Sequence, residues 1–153
     1  MARRQSRVLA LRALFAADVG RQDPKEALRQ AIEGEPEGFA EYARTLCEGV
    51  QEDKARIDEL ISRFSRGWSL QRLAAVDRNL LRLATYELIH QPEIPPNAAV
   101  SEAVELASTY STEDAPRFVN GVLARIAEEL GRPLRDRDPI QEEEVEKDHG
   151  PDH

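Results

Sequence analysis

The side chains of this chain best placed to do chemistry are guanidinium groups, not nucleophiles or metal ligands. Arg3, Arg4, Arg7 and Arg12 fall within the first twelve residues, and no acid appears before Asp18. Arginine outnumbers lysine 18 to 3, and its planar fork suits phosphate oxygens and stacked bases better than an ammonium does. Such a run is either a solvated charged terminus or a binder of polyanions. Groups that support catalysis are sparse. His90, His149 and His153 offer no metal-ligand spacing, so neither metal nor cofactor is expected. Cys47, the single cysteine, lies on an apolar helical face, where a thiol is more often a small core residue than a nucleophile. No phosphate-cradling glycine loop, nucleophile elbow or dinucleotide fingerprint is present. Trp68 can stack a base, but its place between two halves of the chain favours packing.

Charge distribution says more than total charge. The net charge is -8, which argues against non-specific coating of nucleic acid, since phosphate affinity comes from clustered cations. Residues 132–153 carry eight acids against four bases, so half of the net negative charge lies at that end. No run of about 18 apolar residues suggests a membrane span, and the arginine-rich start leads into an amphipathic pattern rather than a signal peptide. A cytoplasmic protein is expected.

Helical periodicity runs through almost the whole chain and must position those groups. Val8, Leu11, Leu14 and Phe15 form one stripe of a helix from about Arg4 to Val19 that Gly20 should end, with Arg3 and Arg7 flanking the stripe. Asp23 and Pro24 suit the cap and first turn of a short helix burying Ala27, Leu28, Ala31 and Ile32. Phe39, Tyr42, Ala43, Leu46 and Val50 continue the pattern, as do Ile57, Leu60, Ile61 and Phe64. After Arg66-Gly67-Trp68, Ser69 is the expected cap of a long helix carrying Leu73, Val76, Leu80, Leu83 and Ala84 and stopping before Pro92. Pro95-Pro96-Asn97 opens another with Val100, Ala103, Val104, Ala107 and Tyr110 inward, and a last helix carries Phe118, Val122, Ile126 and Leu130 to a stop at Gly131.

The expected fold is therefore all-α, with about seven helices in two small packed bundles. The body spans residues 1–131, with sub-bundles of about 1–66 and 67–131, and residues 132–153 form an acidic disordered tail too poor in apolar side chains to fold alone.

Two residues disturb the apolar stripes. Glu87 puts a carboxylate among Val76, Leu80 and Leu83, and a buried acid needs partners. The expected donors are backbone N–H groups that open the helix at Asn97. Asn120-Gly121 interrupts the last helix, although an interior glycine costs about 1 kcal/mol against alanine. Close approach of another helix is the favoured explanation, and direct contact with a ligand is the other.

Three blocks, Leu80-Leu81-Arg82-Leu83-Ala84-Thr85-Tyr86-Glu87-Leu88, Ala103-Val104-Glu105-Leu106-Ala107 and Phe118-Val119-Asn120-Gly121-Val122-Leu123, occur in the order and with the gaps of one family. From about Arg3 to about Leu130 the chain resembles the NusB transcription antitermination factors. The resemblance implies a helical, non-catalytic RNA-binding adaptor. Such adaptors pair with NusE, a ribosomal protein, on the single-stranded boxA element of ribosomal RNA leader transcripts, and they help RNA polymerase, with other Nus factors, to elongate.

By the same resemblance Arg3, Arg4 and Arg7 match an RNA-binding amino terminus. Asp114, Arg117 and Phe118 match a second RNA surface where the last helix begins, with Pro116 at its first position, Ala115 at the cap and Asp114 taking over the capping. Phe15 and Asp77 match positions that meet NusE, although Phe15 is usually tyrosine in the family. Ser101 and Ser108 stand where relatives carry Asn and Lys, both off the inward stripe. Some family members self-associate, which leaves a homodimer open. Two rival readings are a detached NusB-like domain of a ribosomal RNA cytosine methyltransferase and a purely protein-binding helical module.

Overall fold

The computed structural model describes residues 2–135, and it contains helices and turns without strands among those residues. Helices α1 (Ala2–Val19), α2 (Pro24–Ile32), α3 (Glu37–Glu52) and α4 (Lys54–Phe64) precede a 3-10 turn at Leu70–Arg72. Helices α5 (Ala75–His90), α6 (Pro96–Tyr110) and α7 (Ala115–Glu129) follow. None is long and apolar enough to cross a membrane.

Local chemistry accounts for most boundaries. Asp23 Oδ2 accepts a hydrogen bond from the Glu26 amide at 3.1 Å, and Pro24 occupies the first turn, so α2 starts as its sequence predicts. Gly20 follows α1 because a Cβ there would sit 2.6 Å from the Ala16 carbonyl oxygen, while the left-handed turn itself falls on Arg21. Gly131, at φ +75°, closes α7. Ser69 departs from expectation. It precedes the 3-10 turn without capping it, and α5 begins six residues later. Arg78 Nη1 donates to the Leu70 and Leu73 carbonyls, both at 3.1 Å, and ties the turn to the helix that follows it.

Helix α5 is the hub. It packs against α1, α3, α4, α6 and α7, and apart from Arg78 its residues from Asp77 to Leu88 are buried. One continuous core joins the amino-terminal helices to α5, α6 and α7. Helix α4 lies against α5 and α7 as well as α3, so the halves on either side of Gly67 interlock.

A helix buried on all sides should be apolar all round, yet α5 carries Asp77, Asn79, Arg82, Thr85 and Glu87 in its buried stretch. All but Thr85 have partners outside α5. Asp18 of α1 accepts from Arg78 at 2.8 Å, Asn79 at 3.0 Å and Arg82 at 3.3 Å. Arg82 also pairs with Asp58 of α4 at 2.9 Å. Glu87 accepts from Arg7 of α1, with the closest approach at 2.9 Å, and from the Tyr42 hydroxyl of α3. Its donors are therefore not the amides that open α6. Burial pushes the Tyr42 phenol up, and the neighbouring Glu87 charge adds to that shift.

The close-approach glycine is not Gly121 but Gly49. A Cβ at Gly49 would fall 2.1 Å from Tyr86 Cε1, so α3 and α5 meet there only because no side chain intervenes. At Gly121 the same test meets only the Arg125 guanidinium at ordinary contact distance.

The expected tail begins too early. Arg132 donates to the carbonyls of Leu88 at 2.7 Å and Ile94 at 2.6 Å, the Arg135 amide donates to Asn97 Oδ1 at 2.8 Å, and Leu134 packs on the core. The rest of that segment, 136–153, lies outside the described residues.

Removing one partner of a buried ion pair costs about 3 to 5 kcal/mol, whereas replacing both by apolar groups is often neutral. Glu87→Leu should therefore lower unfolding stability by about that amount in thermal or denaturant melts, and Arg7→Met added to it should restore most of the loss. A Glu87→Leu protein as stable as the parent would show that the pair holds nothing. The pH response follows from Asp18. Burial opposes its charge, but Arg78, Asn79 and Arg82 outweigh that and hold its carboxyl below the ordinary range. Its stabilisation is fully present above the unfolded carboxylate value of about 4 and is lost as pH falls through the lowered folded value. Asp18→Asn should flatten the acid limb of a stability-against-pH curve; an unaltered limb would assign acid unfolding to other groups.

Candidate nucleic-acid interface

The three amino-terminal arginines share one helix and have three different environments. Arg3 is exposed, with its guanidinium 4.0 Å from the centroid of the Tyr42 ring. Arg4 reaches across to α6, pairing with Glu102 at 2.9 Å and Glu105 at 2.6 Å. The hydrogen bond from Arg4 holds the Glu102 carboxyl below its usual range. Arg7 is buried on Glu87 and also lies 3.8 Å from Glu102. The expectation that Arg7 offers its charge to a phosphate is corrected by this burial: its hydrogen-bonding edge faces another part of the same molecule. Arg4 differs, since its partners are half-buried and exposed, and such pairs are worth only about 0 to 1 kcal/mol and exchange readily with another anion.

At the start of α7 the helix begins at Ala115, with Pro116 in its second position, and Asp114 stands at the cap. Asp114 makes no side-chain capping bond, contrary to expectation, because its backbone is already helical at φ -85° and ψ -11°. A capping side chain needs a residue outside helical geometry to turn back on the following amides. Arg117 is exposed, with no hydrogen bond or ion pair among the described residues, and Phe118 is half-buried against the core. An unpaired cation at a helix start, where amides and dipole also favour negative charge, suits a phosphate. No hydrogen bond or ion pair joins Arg3, Arg4 or Arg7 to Asp114 or Arg117 among the described residues. Helix α6 is the element both regions touch, through Arg4 on one side and along α7 on the other. Ser101 and Ser108 are both exposed on it, off the inward stripe as expected.

Phe15 and Asp77 part company. Phe15 is 37% exposed and lines a groove of about 250 Å³ with Val8, Leu11, Arg12, Val76 and Tyr110. Asp77 is buried and accepts from the Ser111 hydroxyl at 2.7 Å, which fastens the end of α6 to the start of α5. Tyr110, expected inward, is 49% exposed at this groove, because the last turn of α6 runs beyond the core. Trp68, expected to pack between halves, is 54% exposed in the turn before Leu70. Neither exposure was legible from period alone, since a helix end and a connecting turn escape the stripe that defines the core.

Nothing else on the described surface resembles a reaction centre. Burial pushes the Cys47 thiol up to about 12, which leaves almost no thiolate at neutral pH. His90 contacts Asp53 at 2.8 Å, and no group of three or more His, Cys, Asp or Glu is gathered for a metal among the described residues. A larger cavity, about 780 Å³ between α1, α2 and α3, has an apolar floor including Leu14, Leu28 and Ile32, and none of the expected contact residues lines it.

The model of the NusB family matches residues 4–128, which reaches from the first turn of α1 into the last turn of α7. The chain belongs to the NusB family. The Transcription antitermination protein NusB of Symbiobacterium thermophilum is 46% identical over 136 residues, covering 82% of this chain and 89% of that protein. Among solved structures, T. maritima NusB superposes with a TM-score of 0.78 at 43% identity, covering 82% of this chain and 90% of that one. A chain in the crystal structure of antitermination factors NusB and NusE in complex with dsRNA gives a TM-score of 0.76 at 30% identity, covering 84% of this chain and 97% of that one. The Symbiobacterium relative is thus matched along nearly its whole length. Among the expected contact residues, Arg3 and Arg117 are exposed and pair with no acid among the described residues, while Arg7 and Asp77 hold helices together.

This division predicts a stability pattern. Arg3→Ala and Arg117→Ala should each change unfolding free energy by less than about 0.5 kcal/mol, as exposed substitutions do, and Arg7→Ala should lower it by about 3 to 5 kcal/mol. Equal effects at all three positions in urea titrations would refute it.

Proposed function

We propose that this protein is a transcription antitermination factor: a non-catalytic, cytoplasmic adaptor that binds boxA-like RNA of ribosomal RNA leader transcripts together with NusE and supports elongation by RNA polymerase with other Nus factors. The observation that carries this reading is membership of the NusB family, joined to likeness with a structure in which NusB and NusE are held with RNA. On the chain itself, Arg3 over the Tyr42 ring sets a cation beside an aromatic face, and exposed Arg117 adds a second cation at the start of α7, the kind of groups that grip phosphates and stack an unpaired base. The Phe15 groove supplies a half-exposed apolar surface for NusE, rimmed by Tyr110. Asp77 contributes to that surface by holding Ser111, and so Tyr110, in place.

Competition within the molecule sets the affinity. Glu87 occupies Arg7, and Glu102 and Glu105 occupy Arg4, so of the three arginines only Arg3 is without an acidic partner among the described residues and the amino terminus attracts RNA less than its sequence suggests. NusE completes the surface, which is why the pair should bind better than either protein alone.

Titration of boxA-like RNA with and without NusE, at several salt concentrations and in single-stranded and duplex form, tests this. NusE should tighten binding, and single strands should be preferred. Arg3→Ala and Arg117→Ala should each flatten the salt slope by about 0.7, the share of one neutralised phosphate on a single strand. An unchanged slope would reject those two arginines, and RNA affinity that ignores salt altogether would leave a purely protein-binding module.

A further inference from the structure

We propose that the RNA path does not stop at the first turn of α7 but runs along that helix, over the bare backbone at Gly121, to a second contact patch formed by Arg66 and Trp68. This rests on the RNA-adaptor reading above and extends it to residues that reading does not use.

Gly121 is the first observation. An interior glycine weakens a helix relative to alanine, and here no neighbouring helix requires it. The position a Cβ would take lies 3.7 and 3.8 Å from the Arg125 guanidinium nitrogens, which is ordinary contact, and no other group approaches. Gly49 shows what an internal requirement looks like, with Tyr86 at 2.1 Å. The folded chain has room for a methyl at Gly121, so the close approach that favours glycine there comes from outside the molecule.

Charge is the second observation. Arg117, Gly121 and Arg125 are spaced four apart and share one face of α7. Arg125 donates to the Phe64 carbonyl at 3.2 Å and has no carboxylate partner among the described residues, and its guanidinium feels the charge of Arg66, two residues beyond Phe64. Burial first, and then that like charge, hold Arg125 below its usual range. Arg66 likewise pairs with no acid among the described residues. In a chain of net charge -8, two arginines this near each other and without a carboxylate partner suit an anion.

Trp68 supplies the third. Its amide donates to the Ser65 carbonyl at 3.2 Å and its carbonyl accepts from the Ser65 hydroxyl at 3.0 Å, which fixes the turn while the indole stays 54% exposed. A single large exposed ring two residues from Arg66 suits an unpaired base beside a phosphate. A protein face would present a wider apolar area.

The test uses the full chain bound to NusE, a short boxA-like RNA, and the same RNA extended by about six nucleotides at either end. The double variant Arg66→Asn/Trp68→Ala keeps the left-handed turn at Arg66, because Asn tolerates it. It should weaken binding of one extended RNA by at least about fivefold, as loss of a stacking platform does, and leave the short RNA unaffected. Gly121→Ala should raise the melting temperature and yet weaken the extended RNA, a combination that a merely structural glycine would not give. Unchanged affinity of both variants for both extended RNAs overturns the proposal; if Arg117→Ala still weakens the short RNA, the adaptor reading survives. Absence of RNA binding by the parent protein would overturn both. Loss of NusE capture without RNA, at unaltered RNA affinity, would make the patch a protein contact and equally overturn the proposal.

Discussion

The structure depends on a carboxylate that has no business in an apolar helix. Glu87 is almost completely buried near the end of α5, and it is tolerable only because Arg7 from α1 and Tyr42 from α3 surround it with donors. Three helices that are remote in sequence are thereby pinned at one point. A buried pair of this kind adds little net stability over apolar residues, but it penalises any arrangement in which α1 slides or rotates away from α5. Asp18 repeats the device near the other end of α1, gathering Arg78, Asn79 and Arg82. Helix α1 is therefore fixed on α5 at both ends by polar contacts, and between them Leu9, Ala10, Leu11, Ala13 and Leu14 are buried while Arg12 is exposed.

Fixing α1 decides what the surface can do. Because Arg7 is committed to Glu87, the helix presents Arg3 outward beside Tyr42, the same tyrosine whose hydroxyl serves Glu87. One aromatic side chain thus joins the buried network to the surface cation, and disturbance of the first should be felt at the second. The acidic balance of the protein acts locally in the same sense. Glu102 and Glu105 keep Arg4 occupied on α6, so a ligand must compete for it. Specificity for a matched polyanion over any polyanion follows from such competition more readily than from an open basic patch.

Much of the fold was legible because helix burial leaves a period in the sequence. The stripes through Leu46, Leu80, Ala103 and Val122 placed the helices, and Asp23-Pro24 and Gly131 placed ends whose chemistry is local. What escaped was tertiary. Glu87 could be recognised as buried and in need of donors, but nothing near it names Arg7, eighty residues away. Gly49 looked like any helical glycine until Tyr86 was seen to occupy the space a side chain would need, while Gly121, conspicuous in its apolar helix, has no such neighbour. Ser69 looked like the cap of α5, but the chain makes a 3-10 turn at Leu70–Arg72 first and α5 starts only at Ala75. The candidate site was legible as residue types and not as roles: of the matched arginines and acids, Arg7 and Asp77 turn inward, and Tyr110 and Trp68 turn outward from positions where periodicity carries no information.

If the Glu87 network sets the amino-terminal turns of α1, native-state hydrogen exchange in Glu87→Gln against the parent shows it most directly. Loss of the charge should speed exchange of the α1 amides across residues 5–12 while those of α7 keep their protection, since no hydrogen bond or ion pair joins α7 to Glu87 or Arg7 among the described residues. Equal protection of α1 in the two proteins would mean that apolar packing alone holds the helix, and that the buried pair positions nothing.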